Sequence, residues 1–163
     1  MKFGISFLLL KFIVFVCLLI ITTFTDLSHQ IIPNVISLPG IAAGLLFSIP
    51  SLIDAFIGIL IGAGILWVFR KTGLWIKKQE MMGWGDVKMA GMIGAFLGIR
   101  PGLLALFLGV CFGVVIWSML ILFKVKSRKE YIPFGAFLAL GSVIAVFFSQ
   151  QIISWYLNIF RFS

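Results

Sequence analysis

Long apolar runs, separated by short polar stretches, make up most of the chain. The runs lack the alternation of polar and apolar positions that the strands of a membrane barrel show, and this predicts helices. A helix needs about 20 residues to cross the hydrocarbon of a bilayer, and shorter helices fit inside a bundle. The pattern predicts six helices, over residues 5–25, 34–49, 52–70, 87–99, 102–123 and 134–157, with ends good to about four residues.

The composition identifies the solvent of these helices as lipid. Hydrophobic residues make up 62% of the 163 residues and charged residues only 11%, whereas a soluble domain averages about 45–50% apolar and about 25% charged residues. Inside a bilayer the backbone must satisfy its own hydrogen bonds, which leaves helices or a closed barrel. We therefore expect an all-α polytopic membrane protein, with residues 1–163 forming a single transmembrane domain.

The net charge of +8 raises the question of nucleic acid. The basic residues lie between the apolar segments, where basic side chains anchor to lipid headgroups and set the topology. No soluble basic domain is there to bind nucleic acid, so we expect anionic lipid at the basic loops and no nucleic acid.

Cys17 and Cys111 lie in apolar segments and form no CxxC pair, so they predict neither a zinc site nor a redox pair.

Two loops, between the third and fourth and between the fifth and sixth helices, hold most of the basic residues: Arg70, Lys71, Lys77 and Lys78, and Lys124, Lys126, Arg128 and Lys129. By the positive-inside rule both loops face the cytoplasm, and six helices then put both termini on the non-cytoplasmic side. The first apolar run has no small-residue cleavage pattern, so it is predicted to be a retained helix. This topology places both Asp26 and Asp86 at the cytoplasmic face.

The chain has only five acidic residues, which are Asp26, Asp54, Glu80, Asp86 and Glu130. A carboxylate at a bilayer boundary is costly to desolvate, so such residues usually have a function. Two carboxylates that share one proton can hydrolyse an amide, because the ionised one takes a proton from water while the protonated one donates to the scissile carbonyl. Asp26 and Asp86 are the candidate pair, and the residues leave open which of them is the base.

Glycines surround the second aspartate in Gly83-Trp84-Gly85-Asp86. Because glycine lets the backbone approach another chain closely, an extended substrate would lie against Gly83–Gly85 with Asp86 beneath it. A tight loop in which Asp86 caps the next helix explains the same residues structurally. The residues alone leave both readings open.

Three blocks of sequence resemble the type IV prepilin peptidases, a family of aspartyl proteases of the inner membrane. Met82-Gly83-Trp84-Gly85-Asp86-Val87-Lys88 resembles the GxGD signature of that family, and Asp26 with Ile32-Pro33-Asn34 resembles its other aspartate motif. The stretch from Ile132 to Gly141 resembles its late Pro-Phe-Gly block, with Ala136 where many relatives have proline. The three blocks stand in the family's order and cover the six-helix peptidase core.

The resemblance implies an endopeptidase that removes the basic leader of type IV prepilins or pilin-like secretion proteins at the cytoplasmic face. It implies that Asp26 and Asp86 are catalytic, and that Gly83, Gly85, Lys88, Pro33 and Asn34 support the motifs or bind substrate. Bifunctional members carry an N-terminal region with paired CxxC motifs that bind zinc and accompany methyl transfer. Since this chain starts at the first core helix, we expect no methyltransferase activity, no metal and no cofactor.

Three alternatives remain at this point. A small proton- or cation-coupled transporter or assembly protein would also use two membrane acids, although a transporter more naturally shows internal repeats, and none is seen. His29 lies one turn from Asp26, which suggests a metal pair without a third ligand. Gly58-x-x-x-Gly62 and Gly94-x-x-x-Gly98 predict close helix packing inside the bundle, with a homodimer as the alternative.

Overall fold

The computed structural model of the protein describes residues 2–77, 82–123 and 134–161. These ranges form six α-helices: α1 (Lys2–His29), α2 (Asn34–Phe47), α3 (Leu52–Lys77), α4 (Trp84–Leu97), α5 (Ile99–Leu122) and α6 (Phe134–Arg161). A short 3-10 turn, Ile49–Ser51, joins α2 to α3. The expected all-α architecture is confirmed.

Four stretches of helix are long and apolar enough to cross a membrane: Phe7–His29, Leu52–Trp75, Ile99–Leu122 and Phe134–Asn158. They indicate a multi-pass membrane protein. The helices α2 and α4 have 14 residues each, or about 21 Å of helix, against about 30 Å of hydrocarbon. That all six helices span the bilayer, with both termini on the non-cytoplasmic side, stays a prediction.

Helix α4 is the centre of the bundle and packs against α2, α3, α5 and α6. Every residue from Met89 to Phe96 is buried, as expected of a helix that is apolar on all sides. The ring of Phe96 stacks on Phe15 of α1, with 4.8 Å between the ring centroids. The short fourth helix that the sequence predicts is therefore a core element enclosed by its neighbours.

Glycines bring α3 and α4 into backbone contact. A Cβ atom on Gly58 would lie 2.6 Å from the carbonyl oxygen of Gly94, and one on Gly62 would lie 2.8 Å from that of Ala90. Both distances are too short for a real side chain, so any larger residue would separate the two helices. The predicted small-residue packing inside the bundle is confirmed, while the homodimer stays a prediction.

Several helix ends differ from the predicted ones. Helix α1 continues past residue 25 to His29, so Asp26 lies inside its last turns, and α4 begins at Trp84, before the predicted residue 87. Helix α3 continues past residue 70 to Lys77, so Arg70 and Lys71 belong to a helix and their assignment to a loop is wrong. Hydropathy marks where side chains become polar, whereas the backbone hydrogen bonds of α1 and α3 continue beyond that point. Lys78 and the basic residues of 124–129 lie outside the described residues.

Candidate active site

Asp26 meets the start of α6. Its side chain is 1% exposed, and its Oδ2 atom accepts a hydrogen bond of 3.3 Å from the Ala136 N–H. A Cβ atom on Gly135 would lie only 2.9 Å from the same oxygen. Glycine at position 135 therefore lets the first turn of α6, with its free N–H groups, approach the carboxylate closely. This contact joins the first and the third sequence blocks.

Asp86 lies in the first turn of α4 and is also 1% exposed. The residue that caps α4 is Gly83, in an extended conformation with φ −71° and ψ 155°, so Asp86 is the third residue of the helix and not its cap. Neither carboxylate oxygen of Asp86 has a hydrogen-bond partner among the described residues. A buried carboxylate without a partner is costly to keep ionised, so this position favours the protonated acid.

The electrostatic surroundings of Asp86 agree with its burial. Burial raises the pKa of Asp86, the charge of Asp26 raises it further, and together they bring it to about 7. The nearby N–H of Gly83 lowers this pKa, although the N–H does not meet the carboxylate at hydrogen-bond geometry. Asp86 lies outside the four long apolar spans, and its raised pKa keeps the protonated form populated near neutral pH.

One cavity of about 620 Å³ joins the two aspartates. The predicted site residues all line it: Asp26, Pro33, Asn34, Gly83, Gly85, Asp86 and Lys88. The remaining walls come from the linker between α1 and α2 and from Trp84. The structure thus brings together residues from two blocks that lie far apart in the sequence.

The linker between α1 and α2 turns sharply beside this cavity. Gln30 has a φ of 54°, in the left-handed region where helices commonly end, and its N–H donates to the Asp26 carbonyl oxygen at 2.9 Å. Pro33 precedes α2 with φ −65° and ψ 137°, as its ring requires. These two residues fix the end of α1 and the start of α2. They therefore determine the position of Asp26 relative to the linker that forms part of the cavity wall.

Gly85 sets the separation between α4 and this linker. A Cβ atom on Gly85 would lie 2.6 Å from the Cβ of Ile32 and 3.2 Å from its backbone nitrogen. Any side chain at position 85 would therefore push the first turn of α4, with Asp86, away from the Asp26 side. Close approach, rather than an unusual backbone conformation, explains the second glycine of the motif.

Lys88 connects the two aspartate motifs directly. Its ammonium group donates a hydrogen bond to Oδ1 of Asn34, across the cavity that both residues line. The family resemblance implied only that Lys88 supports the motif or binds substrate. The observed hydrogen bond links the second turn of α4 to the start of α2.

Arg70 belongs to the surroundings of the site, and sequence reasoning missed it. Its side chain is 5% exposed, its Nε–H donates to the Met82 carbonyl oxygen at 3.2 Å, and its guanidinium carbon lies 4.3 Å from the ring centroid of Trp84. A signal was present in the four-residue spacing of Gly58, Gly62, Leu66 and Arg70 along α3, all of which are buried. A helix continued past residue 70 places arginine on this inward face.

The structure adds no third ligand to the possible metal pair of Asp26 and His29 among the described residues. Among the residues that the structure describes, no three histidine, cysteine, aspartate or glutamate side chains lie together. His29 is exposed on the last turn of α1. The expectation of no metal stays a prediction.

Comparison with known proteins identifies relatives. The sequence model of the type IV leader peptidase family matches residues 13–118, a range that contains both aspartates. A prepilin leader peptidase/N-methyltransferase of Aeromonas hydrophila is 34% identical over 146 residues, which are 87% of this chain and 50% of the relative. The protein of the same name in Bacillus subtilis strain 168 is 32% identical over 160 residues, 96% of this chain and 63% of the relative.

The chain therefore spans about half to three-fifths of the length of these curated relatives. A further prepilin leader peptidase/N-methyltransferase, from Xanthomonas campestris pv. campestris, is 30% identical over 161 residues, 96% of this chain and 56% of the relative. No solved structure gives a significant match to this chain.

Proposed function

The chain belongs to the type IV leader peptidase family, and we propose that it is a membrane aspartic endopeptidase that cleaves the leader of type IV prepilins or pilin-like secretion proteins. The observation that carries this proposal is the single cavity onto which Asp26 and Asp86, both buried, open together. Two carboxyl groups that share one proton can catalyse the attack of water on an amide, because one accepts a proton from the water and the other donates one to the carbonyl oxygen. Pairs of this kind titrate as a unit.

The two acids have different surroundings, and from these we propose a separate role for each. Asp26 already accepts an N–H donor from Ala136, which suits the carboxylate that takes a proton from the attacking water. Asp86 has no such donor at hydrogen-bond distance among the described residues and a pKa of about 7, which suits the acid that donates to the scissile carbonyl oxygen.

The reaction then follows in two steps. Water loses a proton to Asp26 as its oxygen bonds to the carbonyl carbon, while Asp86 passes its proton to the carbonyl oxygen. The tetrahedral intermediate then collapses and its carbon–nitrogen bond breaks. The leaving amine takes the proton from Asp26, and one of the two hydroxyl protons of the intermediate returns to Asp86, which leaves the carboxylic acid product. The dyad ends the cycle with the one proton it began with.

The position of the site in the membrane is part of the proposal. We place the cavity at the cytoplasmic face of the cytoplasmic or inner membrane, with six spans and the basic loops against anionic lipid. The cavity shared by Asp26 and Asp86 supports the charge-rule prediction that both lie on one face. The proposed activity is peptide cleavage, and methyl transfer is not part of it.

Cleavage by the purified chain tests the proposal. The full chain in detergent is incubated with a pilin precursor, and the shortened product is followed by mass spectrometry. We expect Asp26→Asn and Asp86→Asn each to lower the rate by about a thousandfold or more, since either change removes a proton-transfer group. The direct comparison is Asp54→Asn, the same change at an exposed aspartate placed 16 residues, or about 24 Å of helix, before Arg70 on α3.

The outcomes separate the proposal from its rivals. Asp54→Asn should retain cleavage within about threefold. Cleavage that survives in either dyad variant makes the assignment of that aspartate wrong. A wild-type chain that cleaves no precursor but carries protons into vesicles belongs to the transporter class instead.

A further inference from the structure

Arg70 of α3 is a buried cation that contacts the segment leading to Asp86. A charged side chain inside a membrane protein is expensive and usually functional, and a buried arginine is stable only where its hydrogen-bonding groups find partners. Arg70 ends the inward-facing row of α3 that begins at Gly58 and continues through Gly62 and Leu66. It therefore occupies a position where α3 would be expected to carry an apolar core residue, two turns before the helix ends at Lys77 and next to the segment that leads to Asp86.

The contacts of Arg70 bracket one residue of the aspartate motif. Its Nε–H donates to the carbonyl oxygen of Met82 at 3.2 Å, and its guanidinium lies 4.3 Å from the centroid of the Trp84 ring. Met82 and Trp84 are the two neighbours of Gly83, which caps α4. An arginine serves here because its planar group donates from an edge and stacks through a face, which an ammonium group does not do.

We propose that Arg70 is a positioning residue for Asp86, holding the Met82-Gly83-Trp84 turn from the side of α3. On the opposite side, Ile32 limits the approach of Gly85. The first turn of α4 thus contacts α3 through Arg70 and the linker after α1 through Gly85, and these two contacts determine the position of Asp86. That Asp86 acts in peptide cleavage rests on the proposed function; that Arg70 fixes this turn rests on the contacts alone.

The competing role for Arg70 is topological. A basic residue at the end of a span contributes to the positive-inside signal wherever its side chain points. Its neighbour Lys71 shares that role but is exposed, with its ammonium nitrogen 5.5 Å from the Trp67 ring centroid. Lys71→Met therefore removes one positive charge and one ring contact from the same helical turn without touching the site.

Hydrogen exchange of the full-length protein in detergent tests the positioning of the turn directly. In Arg70→Met, we expect the backbone amides of residues 87–90, which donate the first helical hydrogen bonds to the carbonyls of residues 83–86, to exchange at least about tenfold faster than in the wild type, because the turn opens more often. Lys71→Met should leave the same amides within about twofold of the wild type. Unchanged exchange in Arg70→Met, or equal acceleration in Lys71→Met, would overturn the proposal.

Cleavage kinetics report the catalytic consequence. Arg70→Met should lower kcat by about 10- to 100-fold, with KM changed by less than about threefold, since a displaced acid slows the chemistry more than it weakens binding. Lys71→Met should change neither constant by more than about twofold. A loss confined to KM would make Arg70 a substrate-binding residue and overturn the positioning role.

The pH profile distinguishes positioning from a general loss of fold. The Gly83 N–H lowers the pKa of Asp86, so a loosened turn should move the alkaline limb of the kcat profile to higher pH. Among the described residues that line the cavity, the other charged side chains are Asp26 and Lys88, and both stay in place. Arg70→Lys keeps the positive charge, so a shift that it shares with Arg70→Met comes from the turn; a shift absent from Arg70→Lys contradicts the proposal.

Two further variants keep the proposal falsifiable if Arg70→Met does not fold. Trp84→Leu removes the ring under the guanidinium and should accelerate exchange at residues 87–90, whereas Trp84→Phe keeps an aromatic face and should leave it near the wild type. Equal exchange in these two variants would overturn the proposal. If the wild type cleaves no precursor while exchange behaves as expected, the positioning of the turn is supported and the proposed function is wrong.

Discussion

At the scale of single residues, the unusual group is the carboxyl of Asp86. It is fully buried and has no hydrogen-bond partner among the described residues, which makes its charge costly and raises its pKa to about 7 from an ordinary value of 3.8. The folded protein therefore holds this proton more tightly than the unfolded chain does. By linkage, that stabilisation is complete below pH 3.8 and disappears as the pH rises through about 7.

This linkage predicts that the protein becomes less stable between pH 5 and pH 8. Each unit of pKa shift corresponds to about 1.4 kcal/mol, so the effect amounts to a few kcal/mol. We expect the wild-type Tm in detergent to fall over this pH range and the fall to be much smaller in Asp86→Asn, whose side chain does not titrate. Asp54→Asn should retain the wild-type slope. Parallel slopes in wild type and Asp86→Asn would show that Asp86 does not control the pH dependence.

At the scale of elements, the important joint is the one between the first turn of α4 and the linker after α1. Gly85 touches Ile32 so closely that its Cβ position lies 2.6 Å from the Ile32 Cβ. Nothing about the backbone of Gly85 requires glycine, since its φ is not positive. The glycine therefore determines the distance between two elements, and through them the distance between two acids.

Gly85→Ala tests this joint. The added methyl group should push α4 away from Ile32 and lower the cleavage rate by about 10- to 100-fold, as expected of a displacement near 1 Å in a catalytic group. Gly64→Ala is the matched change, because a Cβ atom at Gly64 meets nothing within 4 Å. It should leave cleavage intact and stabilise α3 slightly, by up to about 1 kcal/mol. An unimpaired Gly85→Ala enzyme would contradict the role given to this contact.

The elements also show how far sequence reasoning reaches. Apolar runs predicted six helices, and the glycines before Asp86 predicted a close approach, because both follow from local pattern. The hydrogen bond from Ala136 to Asp26 joins residues 110 positions apart, and no local pattern encodes such a pairing. Arg70 was misjudged for another reason: its charge was counted toward topology, while its position in the helical period put it inside.

At the scale of the whole molecule, the distribution of charge defines two ends. Asp26, Lys88 and Arg70 lie at the end with the cavity, and Lys11 and Asp54 lie at the other end, where Lys11 donates to Ser48 at 3.0 Å and Asp54 accepts from the Ile99 N–H at 3.4 Å. In the proposed topology, which rests on the positive-inside rule, the first end faces the cytoplasm.

Labelling of single cysteines tests this orientation. In a background with Cys17 and Cys111 replaced by alanine, Lys71→Cys and Ser51→Cys introduce one thiol at each end, both at exposed positions. In sealed, right-side-out vesicles a membrane-impermeant maleimide should label Ser51→Cys and leave Lys71→Cys unlabelled, and inverted vesicles should give the reverse. Labelling of both thiols from one side would refute the proposed topology.

The shortness of α4 has a consequence for the supply of water. Its far end contacts Asp54 through Gly98, and its 14 residues amount to about 21 Å of helix, against about 30 Å of hydrocarbon. The cavity lies at the other end of this helix, beside Asp86 in its first turn. In the proposed reaction, hydrolysis consumes one water molecule per cut, and this cavity is the space from which that water reaches both aspartates.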